Sequence, residues 1–351
     1  HLLRTDGGEA LVAVETDLPT RAEVRWGLAG TDARKDRSAT SDQLDTRHVL
    51  RLPGLVAGRT YRYRVTLREP LGTAPVTVEA AFHTPPSAAH PLRFVVTGDV
   101  RSGHGIHEQI VRAVVAEDPD FVLMTGDLVD TGSDEAEWQR FFSIEAPLLR
   151  QVPVYTALGN HDHWRREEGL PRALRLFGRS DLHPWWSFDV AGAHFALLDS
   201  DSYRNPEQLA WLKDDLAAAR ARHARALFVC THHGPWSSAL HGDNQTAIRD
   251  YVPVFESTGV TLIFAGHETT TNLIGNGLAL LIDYPDSTRR LIENPDLIRT
   301  AVDEMLRFDS PVQLGNRFTM QDTEIGGVKI AKGTSVNLCI GAANRDPDQF
   351  D

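Results

Sequence analysis

Between residues 93 and 267, short uninterrupted apolar runs recur at 94–96, 121–124, 154–155, 227–229 and 262–264. Runs of that length without polar alternation predict strands covered on both faces. The stretches 107–116 and 207–219 place apolar residues at helical spacing, which predicts helices packed over those strands. Strand and helix alternate, so this part of the chain is expected to be a layered α/β core. Residues 1–86 follow another rhythm: apolar and polar positions alternate over 10–15, 22–26, 48–52, 60–67 and 76–82, the signature of strands with one buried face. That pattern predicts a β-sandwich. The segment 84–89, Thr-Pro-Pro-Ser-Ala-Ala, separates the two rhythms, because proline fixes φ and donates no backbone N–H. Beyond 267 the apolar spacing turns helical again, most clearly over 295–308.

At about 150 residues per domain, 351 residues predict two or three domains. Composition marks one boundary: every His lies at or before 267 and every Trp at or before 236, although 84 residues follow. The expected division is therefore 1–86, 91–267 and 268–351. Lys+Arg 36 against Asp+Glu 48 gives a net charge of −12, which disfavours a nucleic acid partner, since phosphate backbones are bound mainly through clustered basic charge. No apolar run of about 18 residues is present to span a membrane as a helix. Cys230 and Cys339 form no CxxC pair and no disulfide framework. His1 opens the chain without a basic and then apolar leader pattern. Nothing in the composition sets an oligomeric state.

The predicted strands of the central region end in Gly98-Asp99, Gly126-Asp127, Gly159-Asn160-His161, Thr231-His232-His233 and Gly266-His267. Ligands of open α/β sheets gather at the carboxyl ends of strands, so these five polar tips are expected to converge. Carboxylate, amide oxygen and imidazole together suit a transition metal, whereas calcium would draw oxygen alone. One Gly-Asp pair is ordinary turn or cap chemistry. Five such motifs in order are specific: GDVR, GDLVD, GNHD, THHGPW and GHE resemble the motifs of calcineurin-like metallophosphoesterases. With a β-sandwich in front, whose turn and paired tyrosines at 61 and 63 resemble fibronectin type III domains, the layout is similar to purple acid phosphatases.

The resemblance implies a metal-dependent phosphoesterase that hydrolyses phosphate esters through a metal-bound hydroxide at a dinuclear site of divalent or trivalent Fe, Zn or Mn. It makes Asp127 the bridging carboxylate, with Asp99 on the first metal and Asn160, His232 and His267 on the second. His161 becomes the general acid, Asp162 the acceptor that orients its imidazole, and His233 and His241 contacts to substrate phosphate. A secreted or extracytoplasmic setting goes with that likeness. Histidines 104, 107, 163, 183, 194 and 223 are expected to be surface or packing residues.

Three positions depart from the pattern. Asp130 stands where purple acid phosphatases carry a tyrosine, Arg101 where related enzymes carry a first-motif His, and Thr269 where Gly-His-x-His needs its second imidazole. The resemblance therefore implies impaired activity. The remainder of the chain, with AGHETTTNLIGNGLALL, AVDEMLRFDSPVQ and GAANRDPDQF, resembles bacterial cytochrome P-450 (haem-thiolate) monooxygenases. In that likeness Glu268 and Thr269 match a proton relay, Glu304 and Arg307 a Glu-x-x-Arg pair, and Arg317 a haem propionate contact. No residue matches the thiolate cysteine, so haem is not expected, and the tail reads as an incomplete fragment. The sequence has the pattern of a chimera. The alternatives are a haem-binding fragment without its thiolate, or an inactive chimeric protein.

Overall fold

The computed structural model describes the chain except for residues 1, 7, 72–73, 89, 165, 180–182, 237–242, 267–275, 278, 311–314, 320, 326 and 351. Contacts divide it into two units: residues 1–237 with 241–267, and residues 268–351 with 238–240.

In the first unit the N-terminal strands are β1 (Leu2–Asp6), β2 (Glu9–Leu28), β3 (Arg37–Pro53), β4 (Thr60–Arg68) and β5 (Val76–His83). They form one antiparallel sheet in which β3 lines one edge of β2. The other edge of β2 pairs with β1 near its start and with β4 near its end. The expected strands at 10–15 and 22–26 are thus one. Its register slips between Glu15 and Ala22, around Pro19, where a residue without an N–H is tolerated at a bulge. Residues from both halves of β2, among them Val12, Val24 and Trp26, share a core with Leu52, Tyr63 and Phe82.

The second part of this unit runs β6 (Phe94–Thr97), α1 (His104–Ala116), β7 (Phe121–Met124), α2 (Glu135–Leu149), β8 (Val154–Thr156), α3 (Arg166–Leu176), β9 (Trp186–Val190), β10 (Ala193–Leu197), α4 (Pro206–Ala221), β11 (Ala226–Thr231), α5 (Val252–Thr258) and β12 (Leu262–Ala265). Strands β6, β7 and β8 form a parallel sheet; β12, β11 and β10 form another, with β9 antiparallel at its edge. Alternation along the buried strands sorts their side chains. Phe121 and Leu123 face a seam with Phe188, Phe195 and Cys230, while Val122 and Met124 face α1 and α2 through Val111, Trp138 and Phe141. On the far sheet Phe228 joins the seam and Leu227 and Val229 pack with Leu212, Leu216 and Phe255. The result is two sheets face to face with helices outside each. Ring stacking fills the seam, with Tyr155 and Phe188 centroids 3.8 Å apart and Phe94 and Phe121 4.9 Å apart. The N-terminal sheet is tied to this core where Tyr63 Oη donates to the Arg150 carbonyl at 2.9 Å and the Arg47 guanidinium to that of Leu176 at 2.9 Å.

In the second unit are α6 (Pro285–Glu293), α7 (Ile298–Phe308), β13 (Gly315–Phe318), β14 (Thr323–Ile325), β15 (Val328–Ile330), β16 (Ser335–Leu338) and α8 (Ile340–Ala343). The helix expected over 295–308 begins as a 3-10 turn, Pro295–Leu297.

Candidate metal centre

Strands β6, β7 and β8 of the first unit end, β6 half-buried and the other two buried, and the chain turns at once. Asp99 and Asp127 take φ of 52° and 54°, a left-handed backbone that few residues other than glycine adopt and that Asp tolerates better than most. Gly126, at φ 98°, lies so close to the backbone of Gly159 that a Cβ there would collide with it. The loops after β6, β7 and β8 are therefore packed backbone to backbone. The Asp99 N–H donates to the Gly126 carbonyl at 3.0 Å, and the His161 N–H donates to Asp127 Oδ1 at 3.0 Å.

Asp162 holds this arrangement. Its carboxylate, fully buried, accepts the backbone N–H groups of Asp127, Leu128 and Gly159 at 2.9 Å each and of Val129 at 3.3 Å. Burial and the Asp127 charge push its carboxyl up to about 6, while those N–H groups favour the charged form. The sequence pointed to Asp162 as the residue that orients His161; in the structure Asp130 does so. The Asp130 carbonyl accepts from His161 Nδ1 at 2.7 Å and its carboxylate lies 3.4 Å away. Asp162 is engaged four times by backbone donors, which fix two loops rather than one ring.

His232, fully buried after β11, donates from Nδ1 to the Thr125 carbonyl at 3.0 Å. A carbonyl only accepts, so this bond takes the proton on Nδ1 and turns Nε2 toward Asp127 Oδ2, 3.4 Å away. Ligand atoms of Asp99, Asp127 and His232 all lie within 4.8 Å of one another. Burial opposes charge on both partners. It is outweighed by the hydrogen bond and attraction between them, which hold Asp127 below the usual carboxylate range and His232 above the usual imidazole range. The carboxylates thus draw a cation toward Nε2, and the donor set fits a transition metal.

Arg101 is the residue whose importance the sequence did not convey. Its guanidinium donates to Asp99 Oδ1 at 2.5 Å and to Asp127 Oδ2, and lies 3.8 Å from Asp130 Oδ1. Fixed positive charge thus stands beside the carboxylates where related enzymes place an imidazole. The only available signal was the broken first motif, where the sequence registered a lost ligand but not a gained charge. Glu137 was likewise missed; it accepts the N–H groups of Asp130 and Thr131 at 2.7 and 2.9 Å.

Asn160 is half-buried on the loop that carries His161. His233 is half-buried beside His232, with Ser200 Oγ 3.1 Å from its Nδ1 and Tyr203 Oη donating to its carbonyl at 2.8 Å. His241, His267, Glu268 and Thr269 lie outside the described residues. In the second unit Glu304 and Arg307 form a two-pronged ion pair at 2.8 and 2.5 Å, and Arg307 also donates to the Asn344 carbonyl at 2.7 Å. Arg317 falls on β13, its side chain outside the described set. Cys339, exposed, stands at the start of α8 without a side-chain capping bond. Among the histidines expected only to pack, His107 is buried with Nε2 2.6 Å from Glu145, and His194 lies between Asp189 and Asp215 at 2.9 and 2.8 Å.

Residues 92–270 match the calcineurin-like phosphoesterase family and residues 256–351 match cytochrome P450, so the two matches overlap over 256–270. The fold is similar to purple acid phosphatase PPD1 from yellow lupin (Lupinus luteus) seeds, with a TM-score of 0.62 and 19% identity over 75% of this chain and 56% of that one. The C-terminal part is similar to a biotin biosynthesis cytochrome P450 of Bacillus subtilis, 51% identical over 27% of this chain and 24% of that protein. It also resembles a vitamin D(3) 25-hydroxylase of Pseudonocardia autotrophica, 54% identical over 25% of this chain and 22% of the other. The chain spans about a quarter of the length of these curated relatives.

Proposed function

The chain belongs to the calcineurin-like phosphoesterase family, and on that premise we propose that it hydrolyses phosphate esters at a centre for two divalent or trivalent cations, Fe, Zn or Mn. The observation that carries this reading is the approach of Asp99, Asp127 and His232 within 4.8 Å, with His232 Nε2 turned toward Asp127. Asp127 would be the ligand common to both ions, with Asp99 holding one and His232, Asn160 and His267 the other. Bound cations would supply polarisation of the phosphoryl oxygens and a lowered pKa for the attacking water.

The chain's own groups do the rest. His161, pinned through Nδ1 to the Asp130 carbonyl, keeps Nε2 for a proton delivered to the leaving oxygen. Asp162 keeps the loops of Asp127 and His161 in register. His233, steadied by Ser200 and Tyr203, is the phosphate contact, and Arg101 adds fixed positive charge. Activity is impaired, because Thr269 stands where the second imidazole of the last motif belongs. The domains are a fibronectin type III-like module at 1–86, the catalytic core at 91–267 and a monooxygenase-like segment at 268–351 to which no haem chemistry is assigned. The likeness to purple acid phosphatases favours a secreted or extracytoplasmic setting.

A generic phosphomonoester assay tests the reading: hydrolysis is expected in metal-loaded protein, lost on chelation and restored by metal. A loaded, folded protein without turnover is the inactive chimera. Thr269→His is expected to raise the rate by at least about tenfold, the lower scale for restoring an interaction at a metal site. An unchanged rate in a folded variant removes the explanation of impairment.

A further inference from the structure

A second group of donors lies on the first unit, sharing no residue with the Asp99, Asp127 and His232 set. His163, on the loop after β8, is buried, its side chain 3% exposed, and neither ring nitrogen has a hydrogen-bond partner among the described residues. A buried imidazole in that condition forfeits the partners it had in water, a cost that native interiors seldom leave uncompensated. Two carboxylates face it from the turn after β10. Asp199 Oδ1 lies 3.8 Å from Nε2 and Asp201 Oδ2 lies 3.7 Å from Nδ1. Both separations are too long for hydrogen bonds. Each is near the spacing of two donors that share one small cation, since bonds of about 2.0 to 2.2 Å put neighbouring tetrahedral donors roughly 3.4 Å apart, and such an ion takes only one of the two nitrogens. Ligand atoms of the three residues lie within 4.8 Å of one another.

We propose that His163, Asp199 and Asp201 form a separate structural site for a divalent transition-metal ion, zinc being the best match to one imidazole and two carboxylates. The ion takes one imidazole nitrogen, an oxygen from each carboxylate and a water. Asp199 is already oriented to bind it. Its oxygens accept the Asp201 N–H at 3.0 Å and the Ser202 hydroxyl at 2.5 Å, the support that metal-ligating carboxylates commonly have. The site clips the loop of His161 and His163 to the turn that holds His233 through Ser200 and Tyr203. It therefore ties two catalytic loops together from outside the reaction centre.

Native mass spectrometry of the zinc-loaded full chain tests this. Asp127→Ala, which disables the proposed catalytic centre, is expected to retain one zinc and to melt higher with zinc than without. Asp201→Asn in that background, at a solvent-facing position where folding is safe, and His163→Gln are each expected to lose that ion. The outcome does not depend on turnover, so absent hydrolysis leaves it standing. An Asp127→Ala protein that holds no zinc, or one whose zinc survives Asp201→Asn, overturns the site.

Discussion

Helix α4 and helix α7 differ in a way their sequences invert. The α7 stretch Ile298–Phe308 is the more sharply two-sided, yet it buries no residue, with Ile298 55% exposed. The less segregated α4 buries Gln208, Leu212, Leu216 and Ala219. What separates them is the layer beneath. Helix α4 lies over β10 and β11 and shares a core with Ala196, Leu227 and Val229, whereas among the described residues α7 finds only a groove shared with Leu280, Leu281 and Tyr284. An amphipathic pattern is enough to make a helix, but burial is a property of the neighbour it meets. The apolar residues Ile282 and Ile292, 79% and 74% exposed, carry the same lesson.

That contrast can be broken at its chemistry first. His161→Ala is expected to lower turnover by roughly 10² to 10⁴ while metal stays bound, the usual scale for a general acid. Ile292→Ser in the tail is expected to leave turnover unchanged. Steady-state kinetics with metal analysis decide it, and metal lost with activity would make His161 a ligand. Packing comes next: Phe121→Ala, in the seam between the sheets, is expected to cost about 3 to 5 kcal/mol in denaturant titration. Ile298→Ala should stay within about 0.5 kcal/mol. Equal losses would mean that the tail is packed as the core is.

A smaller effect concerns pH. Burial draws the His194 imidazole down, but Asp215 and Asp189 outweigh it and hold it above its ordinary value. Its stabilisation is then complete below the ordinary imidazole pKa and is lost as pH rises through the folded value. Unfolding midpoints are expected to fall from about pH 6 toward pH 9, and less steeply in His194→Gln; parallel curves would remove His194 as the cause.

Much of the core was legible because its strands are short and uniformly apolar. The run 121–124 coincides with β7, and 227–229 extends only to Ala226–Thr231. Strand tips were legible as well, since Asp99, Asp127 and His232 sit where strands of the core must turn. Strands β9 and β10 and helix α2 were not anticipated, because Trp185-Trp186 and the mixed 135–149 stretch carry no clean period. Asp130, not Asp162, meets the His161 ring for a different reason. Spacing places both near His161, but only backbone geometry tells which oxygen meets a ring and which meets a row of N–H groups.

The measurement closest to the central claim is phosphomonoester hydrolysis by metal-loaded parent protein and Asp127→Ala, read together with bound metal. The account predicts turnover in the parent that chelation removes, and in Asp127→Ala no turnover and loss of the ions held at the Asp99 and His232 side. Parent-like hydrolysis or an undiminished metal count in Asp127→Ala would contradict it.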